Sequence, residues 1–314
     1  MKLRTEIPAI PGDHSIDHHS KLLLLGSCFS EHMAGKLEYF QFRCLRNPFG
    51  ILYHPAAIAR FLEKVVSGDK YTREALFGHQ GRWHCFDAHS SLSSTSREQA
   101  LSNINTALEE TATFLKTATH VLITLGTAWG YRLKETGEPV ANCHKIPQKH
   151  FEKELASAES VTGNISGMIS ALRKINPEVQ IIFTISPVRH LRDGFVENQR
   201  SKAHLVTAVH QVTDPLSCFY FPSYEIVMDE LRDYRFYTDD MIHPSDTAIQ
   251  YIWEKFSGAW ISPAAHQDMK EVDAIRKGLS HKPFAPDSPE HRDFRCRLED
   301  RIRRLRSEWP HMEF

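Results

Sequence analysis

Short apolar runs alternate along this chain with segments whose apolar residues recur every three to four positions. The first run, Lys21-Leu22-Leu23-Leu24-Leu25, shows no polar alternation, as a strand buried on both faces requires. It stops at Gly26-Ser27. Phe29, Met33, Leu37 and Phe40 then repeat at helical spacing and predict a helix over about 28–39. Residues 40–45 read as a second, more exposed strand running into the turn cluster Asn47-Pro48-Phe49-Gly50. Pro55 opens a helix to about residue 66, with Ile58, Phe61, Leu62 and Val65 on one face. Residues 68–95 are less regular and read as an insertion or lid-like loop. A helix over 97–117 leads to a second buried strand, 120–125, which ends at Gly126-Thr127. Residues 129–133 and 140–143, about a turn at Gly137, form a hairpin pattern. Helical pattern resumes over about 151–175, interrupted by Gly163 and Gly167 and stopped by Asn176-Pro177. A third β-rich run, 179–185, ends at Ser186-Pro187. A helix over about 197–212, a strand at 218–221 and a helix from about Asp246 through Phe256 follow.

Strands alternating with helices in this way predict a mostly parallel sheet covered on both faces. The expected fold is therefore α/β: a three-layer α/β/α domain of flavodoxin-like topology with about five parallel strands, occupying residues 1–261. From Ser262 the character changes. Pro283, Pro286 and Pro289 precede a highly charged helix over 292–309, read as a solvated helix packed by Leu298, Ile302 and Leu305. Residues 262–314 are thus expected to form a charged helical extension packed on the main domain. Residues 1–20 should wrap the surface ahead of the first strand, with His18-His19 in a solvated loop.

Composition narrows the function classes. The chain has 314 residues, 41% hydrophobic and 25% charged, enough to bury a sizeable core. Net charge is −1 and no dense basic stripe precedes the C-terminal helix, which argues against nucleic acid as a partner. No run approaches the roughly 18 apolar residues of a membrane span. Glu6 and Pro8 interrupt what a secretory signal would need as a continuous apolar core. Six scattered cysteines without a C-x-x-C pair read as reduced thiols in a cytoplasmic protein. The histidines show no zinc spacing, and His84, Asp87 and His89 read as polar loop residues rather than metal ligands. No metal or organic cofactor is implied, and oligomeric state is left open.

The candidate chemistry sits at two turns. Ser27 follows the first strand and precedes a helix, which places it at the carboxyl edge of the sheet, where open α/β folds bind ligands. A hydroxyl nucleophile needs a base, and the base needs an orienting acceptor. Asp240-Met241-Ile242-His243 supplies both in one turn just before the last helix of the α/β pattern. Cys28 is the rival nucleophile, since a thiolate at a helix N-terminus has a depressed pKa. It is read as a buried structural cysteine.

A nucleophile after strand one with Asp-x-x-His before the final helix resembles the SGNH (GDSL-like) hydrolases. The detailed match is to a subgroup of that clan, the GSCFA domain family. It rests on Gly26-Ser27-Cys28-Phe29-Ser30, Asn47-Pro48-Phe49-Gly50-Ile51-Leu52-Tyr53, Leu125-Gly126-Thr127-Ala128-Trp129 and Asn142-Cys143-His144-Lys145. Ser186-Pro187-Val188-Arg189-His190, Glu197-Asn198-Gln199 and the turn from Asp240 to Ser245 complete the set. The resemblance implies Ser27 as nucleophile, His243 as base and Asp240 as its partner, acting on a small-molecule or carbohydrate-like ester. Related hydrolases build the oxyanion hole from the nucleophile's N–H, a glycine after the second strand and an asparagine after the third. Gly50 fits the glycine role. The third block has no asparagine, and Asn47, Asn142 or Thr127 are the candidate substitutes.

Arg189, His190 and Arg192 follow the third β-rich run. Either they hold an anionic or polyhydroxylated substrate, or they form ion pairs with Asp193 or Glu197. Asn142, His144 and Lys145 either line the cleft or face water at a hairpin tip, and Trp129 and Tyr131 read as packing residues. The alternatives to an esterase are a non-catalytic ligand-binding module and an acyltransferase on the same fold.

Overall fold

Leu22 to Leu25 point by turns to opposite faces of one parallel sheet, and that alternation separates two cores. The computed structural model describes residues 5–8, 14–214 and 216–314. In chain order the elements are β1 (Lys21–Gly26), α1 (Cys28–Tyr39), β2 (Arg43–Arg46), α2 (Pro55–Ser67), β3 (Phe77–His79), β4 (Arg82–His84) and α3 (Arg97–Leu115). There follow β5 (His120–Leu125), β6 (Trp129–Leu133), β7 (Pro139–Val140), β8 (Phe151–Leu155), α4 (Ala158–Ile175) and β9 (Gln180–Ile185). The chain ends with α5 (Phe195–Val212), β10 (Cys218–Phe221), a single turn α6 (Ser223–Glu225), α7 (Asp246–Trp260), α8 (Pro263–Ser280) and α9 (Pro289–Glu308).

The central sheet has the order β2-β1-β5-β9-β10, and its strand pairs are all parallel. Counting only its own strands, this is 2-1-3-4-5, the flavodoxin-like order, with the first crossover at β1/β5. Leu23, Leu25, Val121, Ile123, Ile181 and Phe183 face α2 to α5 on one side. Leu22, Leu24, Leu122 and Ile182 face α1 and α7 on the other. Each such buried side chain stabilises the fold by roughly 1.5–3 kcal/mol relative to exposure. Gly26 is indispensable where β1 turns into α1: its φ is +123°, and a Cβ there would lie 2.1 Å from the Thr124 carbonyl oxygen. Among the described residues, no helix is long and apolar enough to cross a membrane.

Four expectations need correction. Residues 151–155 form strand β8, not the start of a helix. They pair antiparallel with β6 in a three-stranded sheet, and α4 begins only after the Ser157 cap. The irregular stretch 68–95 contains the hairpin β3–β4, closed by the Trp83–Ser94 bridge. The second strand starts later than expected, at Arg43, because Gln41 takes a positive φ and ends the α1 turn. His18 is fully buried rather than solvated: its ring stacks on Phe42 at 4.3 Å and bonds the Phe40 carbonyl. His19 is exposed. Residues 1–4 and 9–13 of the N-terminal segment lie outside the described residues.

Beyond Ile261, α8 precedes the charged helix α9. The two share a small core of Val272, Ile275, Leu298, Leu305, Trp309 and Met312, against which Phe40 packs.

Candidate active site

Ser27 is the N-cap of α1. Its Oγ accepts the Phe29 N–H at 3.3 Å, its own N–H donates to Thr124 O at 3.1 Å, and the residue has no exposed surface. Cys28, the first residue of the helix, is half-buried. The N–H groups of Cys28 and Phe29 point to its thiol. Burial raises the thiol pKa, while those N–H groups and the Lys202 ammonium pull it down.

The D-x-x-H turn is built by its own carboxylate. Asp240 Oδ1 accepts the N–H groups of Ile242 (2.8 Å) and His243 (3.0 Å) and the Thr238 hydroxyl, and Oδ2 lies 2.6 Å from His243 Nδ1. The His243 N–H, the Thr238 hydroxyl and the His243 ring together hold the Asp240 carboxyl well below the usual range. His243 Nε2 has no hydrogen-bond partner among the described residues. The turn is tied to the loop after β9 by the Arg189 N–H, which donates to Ile242 O at 3.1 Å.

His190, next along that loop, donates its backbone N–H to Asn198 Oδ1 and sets its ring edge-on to Tyr53, 5.7 Å away. Its Nε2 is buried without a partner. Burial, with the charges of Lys202 and His243, pushes the ring down to about 3, so it stays neutral. His32, one turn into α1, is lowered by burial and by repulsion from His243. It also lines a groove of about 840 Å³ between α1, α7 and α8. At the carboxyl edge of the sheet His190 thus feels both Lys202 and His243, and Cys28 feels Lys202.

Most of the candidate oxyanion donors have other partners. Asn47 Oδ1 takes the Gly26 N–H at 2.9 Å and its amide donates to Glu31, so it clamps β1 rather than facing a substrate. The Gly50 N–H donates to Asn47 O at 2.6 Å, and a Cβ at Gly50 would collide with His89. The Gly126 and Thr127 N–H groups both go to Tyr53 O. Thr127 Oγ1 shares a bond with Ser201 Oγ and accepts the Trp129 N–H. Asn142 Oδ1 accepts the His144 N–H at 2.8 Å. His144 is buried, with Nε2 on Cys85 O and Nδ1 on Ser90 Oγ, and burial pushes it down to about 4. It pins the hairpin to the insertion. Arg189 pairs with neither Asp193, which bonds Lys153, nor Glu197, which bonds Arg200. Its guanidinium stacks over Tyr237, 4.0 Å from the ring centre.

Sequence reasoning missed Lys202. On α5 the buried positions are Asn198, Ser201, Lys202, Leu205, Ala208 and Val209, so a lysine sits squarely in the core-facing stripe. That register is the signal that could have found it. Its Nζ donates to Gly126 O and Ser186 O, each at 2.7 Å, joining the ends of β5 and β9. Among the described residues, no group of three His, Cys, Asp or Glu side chains is placed to hold a metal ion.

Two solved structures are similar over most of the chain. One is a carbohydrate esterase family 3 protein from Talaromyces cellulolyticus, at 12% identity and a TM-score of 0.39, covering 80% of this chain and 99% of that one. The other is a serine-to-alanine mutant of an acetyl esterase with acetate ion, at 13% identity and a TM-score of 0.36, covering 81% and 99%. A comparison with curated proteins gives no match. Residues 272–314 match the C-terminal domain of GSCFA domain proteins. Residues 21–256, which carry the whole central sheet, both turns and Lys202, match the GSCFA family itself, and the chain belongs to that family.

Proposed function

We propose that the protein is an ester hydrolase of SGNH type that forms a covalent acyl intermediate at the β1–α1 turn. The observation that carries this reading is the 2.6 Å contact between His243 Nδ1 and Asp240 Oδ2, which leaves Nε2 free to accept a proton. Ser27 Oγ attacks the ester carbonyl and gives its proton to His243 Nε2. The tetrahedral oxyanion collapses, and the departing alkoxide takes that proton. Water, deprotonated in turn by His243, releases the acid and restores Ser27. The substrate class, an O-acyl group on a small or carbohydrate-like molecule, follows from the family resemblance.

One observation favours a second reading. Ser27 has no exposed surface and its oxygen is held by the Phe29 N–H, whereas Cys28 is half-buried beside it. Cys28 would then attack, with a thioester in place of the ester intermediate.

Labelling with a fluorophosphonate and with iodoacetamide separates the two. Fluorophosphonate labelling lost in both Ser27→Ala and His243→Ala supports the serine reading. Iodoacetamide inactivation that is absent in Cys28→Ser, with Ser27→Ala still active, supports the cysteine. Folded protein that turns over no acyl ester from a broad panel, and whose reaction with either reagent is unchanged in His243→Ala, would overturn both.

A further inference from the structure

Lys202 is 1% exposed, yet no carboxylate among the described residues pairs with it. Taking an ammonium out of water is costly even after relaxation, and two carbonyl acceptors recover only part of that. A neutral amide could make the same two bonds without that cost. What only the lysine supplies is charge. The carbonyls it holds, Gly126 O and Ser186 O, follow β5, the strand next to β1, and β9, the strand beyond it, so the charge sits at the same carboxyl edge of the sheet as the β1–α1 turn. Here Gly50, Thr127, Asn47 and the Ser27 N–H, expected to receive an oxyanion, already have partners.

We propose that the buried Lys202 ammonium is the positive charge that stabilises developing negative charge at the β1–α1 turn, replacing the missing side-chain donor. The inference rests on the proposed acyl chemistry for its use but not for its existence, and it holds whichever of Ser27 and Cys28 attacks. Preorganised charge in a water-poor site is worth more than the same charge in solvent, and it needs no contact with substrate to act. The groups facing Lys202 are the Cys28 thiol from α1, the His190 ring from the β9 loop and the Tyr224 ring, 5.5 Å from Nζ. Burial pushes Lys202 down to about 7, and the Cys28 thiol opposes that fall.

Cys28 reports this charge without any substrate. The rate of Cys28 alkylation by iodoacetamide, followed by peptide mass spectrometry across pH 6–10, gives the thiol's apparent pKa. In Lys202→Gln, which keeps an amide donor but not the charge, alkylation at pH 6–6.5, below the value to which burial pushes the lysine, should slow roughly tenfold. Lys202→Arg, charged throughout, should keep the wild-type rate there. Where ester turnover is measurable, Lys202→Gln should lower kcat roughly 10²-fold with KM little changed. A folded Lys202→Gln protein whose alkylation profile superimposes on wild type would overturn the proposal.

If the variants do not fold, the wild type answers: the Lys202 side-chain nitrogen should give the NMR signal of an ammonium at pH 6, and a neutral amine there overturns the proposal. A shifted alkylation profile without any ester turnover would sink the acyl chemistry and leave the charge role standing.

Discussion

His243 Nδ1 lies 2.6 Å from Asp240 Oδ2, while Asp240 Oδ1 takes the backbone N–H of His243 itself. One carboxylate thus shapes the turn and selects the tautomer of the ring it carries. In Asp240→Asn the retained oxygen can still hold the backbone, but an amide N–H facing Nδ1 drives the ring proton to Nε2. We expect kcat toward acyl esters to fall roughly 10²–10⁴-fold with a small change in KM. Undiminished turnover would remove His243 as the base.

Asn47 should behave as a structural residue. Removing its side chain in Asn47→Ala strands the buried Gly26 N–H and leaves an alanine at a φ of +36°. Urea unfolding should show a loss of about 1–3 kcal/mol. Residual enzyme, measured per folded molecule, should keep most of its activity. A stable but inactive variant would return Asn47 to the substrate side.

Two glycines with positive φ make a controlled pair. Gly26→Ala forces a Cβ into the Thr124 carbonyl, against backbone that cannot yield, and should cost at least several kcal/mol. At Gly137 nothing lies within 4 Å, so alanine meets only backbone strain, about 1 kcal/mol. Melting by circular dichroism should separate them clearly. Similar losses would mean that β1 and β5 can part at this point.

Acid should loosen the protein through buried neutral histidines. His54 caps α2 by accepting the Ala56 N–H on Nδ1, and burial pushes it down to about 4, as it does His144. Both folded values lie below the unfolded value near 6.5, so between about pH 6.5 and 4 the unfolded chain binds more protons. Stability is therefore complete above pH 6.5 and is lost as pH falls toward 4, by up to about 1.4 kcal/mol per unit for each ring. Melting temperature should decline over this window, and His54→Asn, which keeps a cap acceptor, should flatten the decline. An unchanged slope would place the acid sensitivity elsewhere.

The parallel sheet was legible because β1 is an unbroken apolar run and β5 and β9 are nearly so, the pattern of a doubly covered sheet. The D-x-x-H turn was legible because its contacts are local, three residues apart. Phe151-Glu152-Lys153-Glu154-Leu155 misled because apolar residues four apart fit one helical turn as well as a strand. Only its pairing with β6 decides. The fates of Asn47 and Thr127 were hidden for another reason. The bonds that occupy Asn47 and Thr127 span 21 and 74 residues, and no local pattern records them. His18 was misjudged likewise, since the Phe42 and Trp309 rings beside it arrive from distant segments.

The C-terminal tail has one more consequence. β2 is an edge of the central sheet, and an unguarded parallel edge invites other chains to add strands to it. Here Arg43 and Arg46 put charge on that edge. His311 bonds both Arg43 and the Gln41 carbonyl, and Gln41 also bonds the Glu313 backbone. The last residues of the chain are therefore a guard against intermolecular strand pairing. Shortening the chain there should first be felt as aggregation.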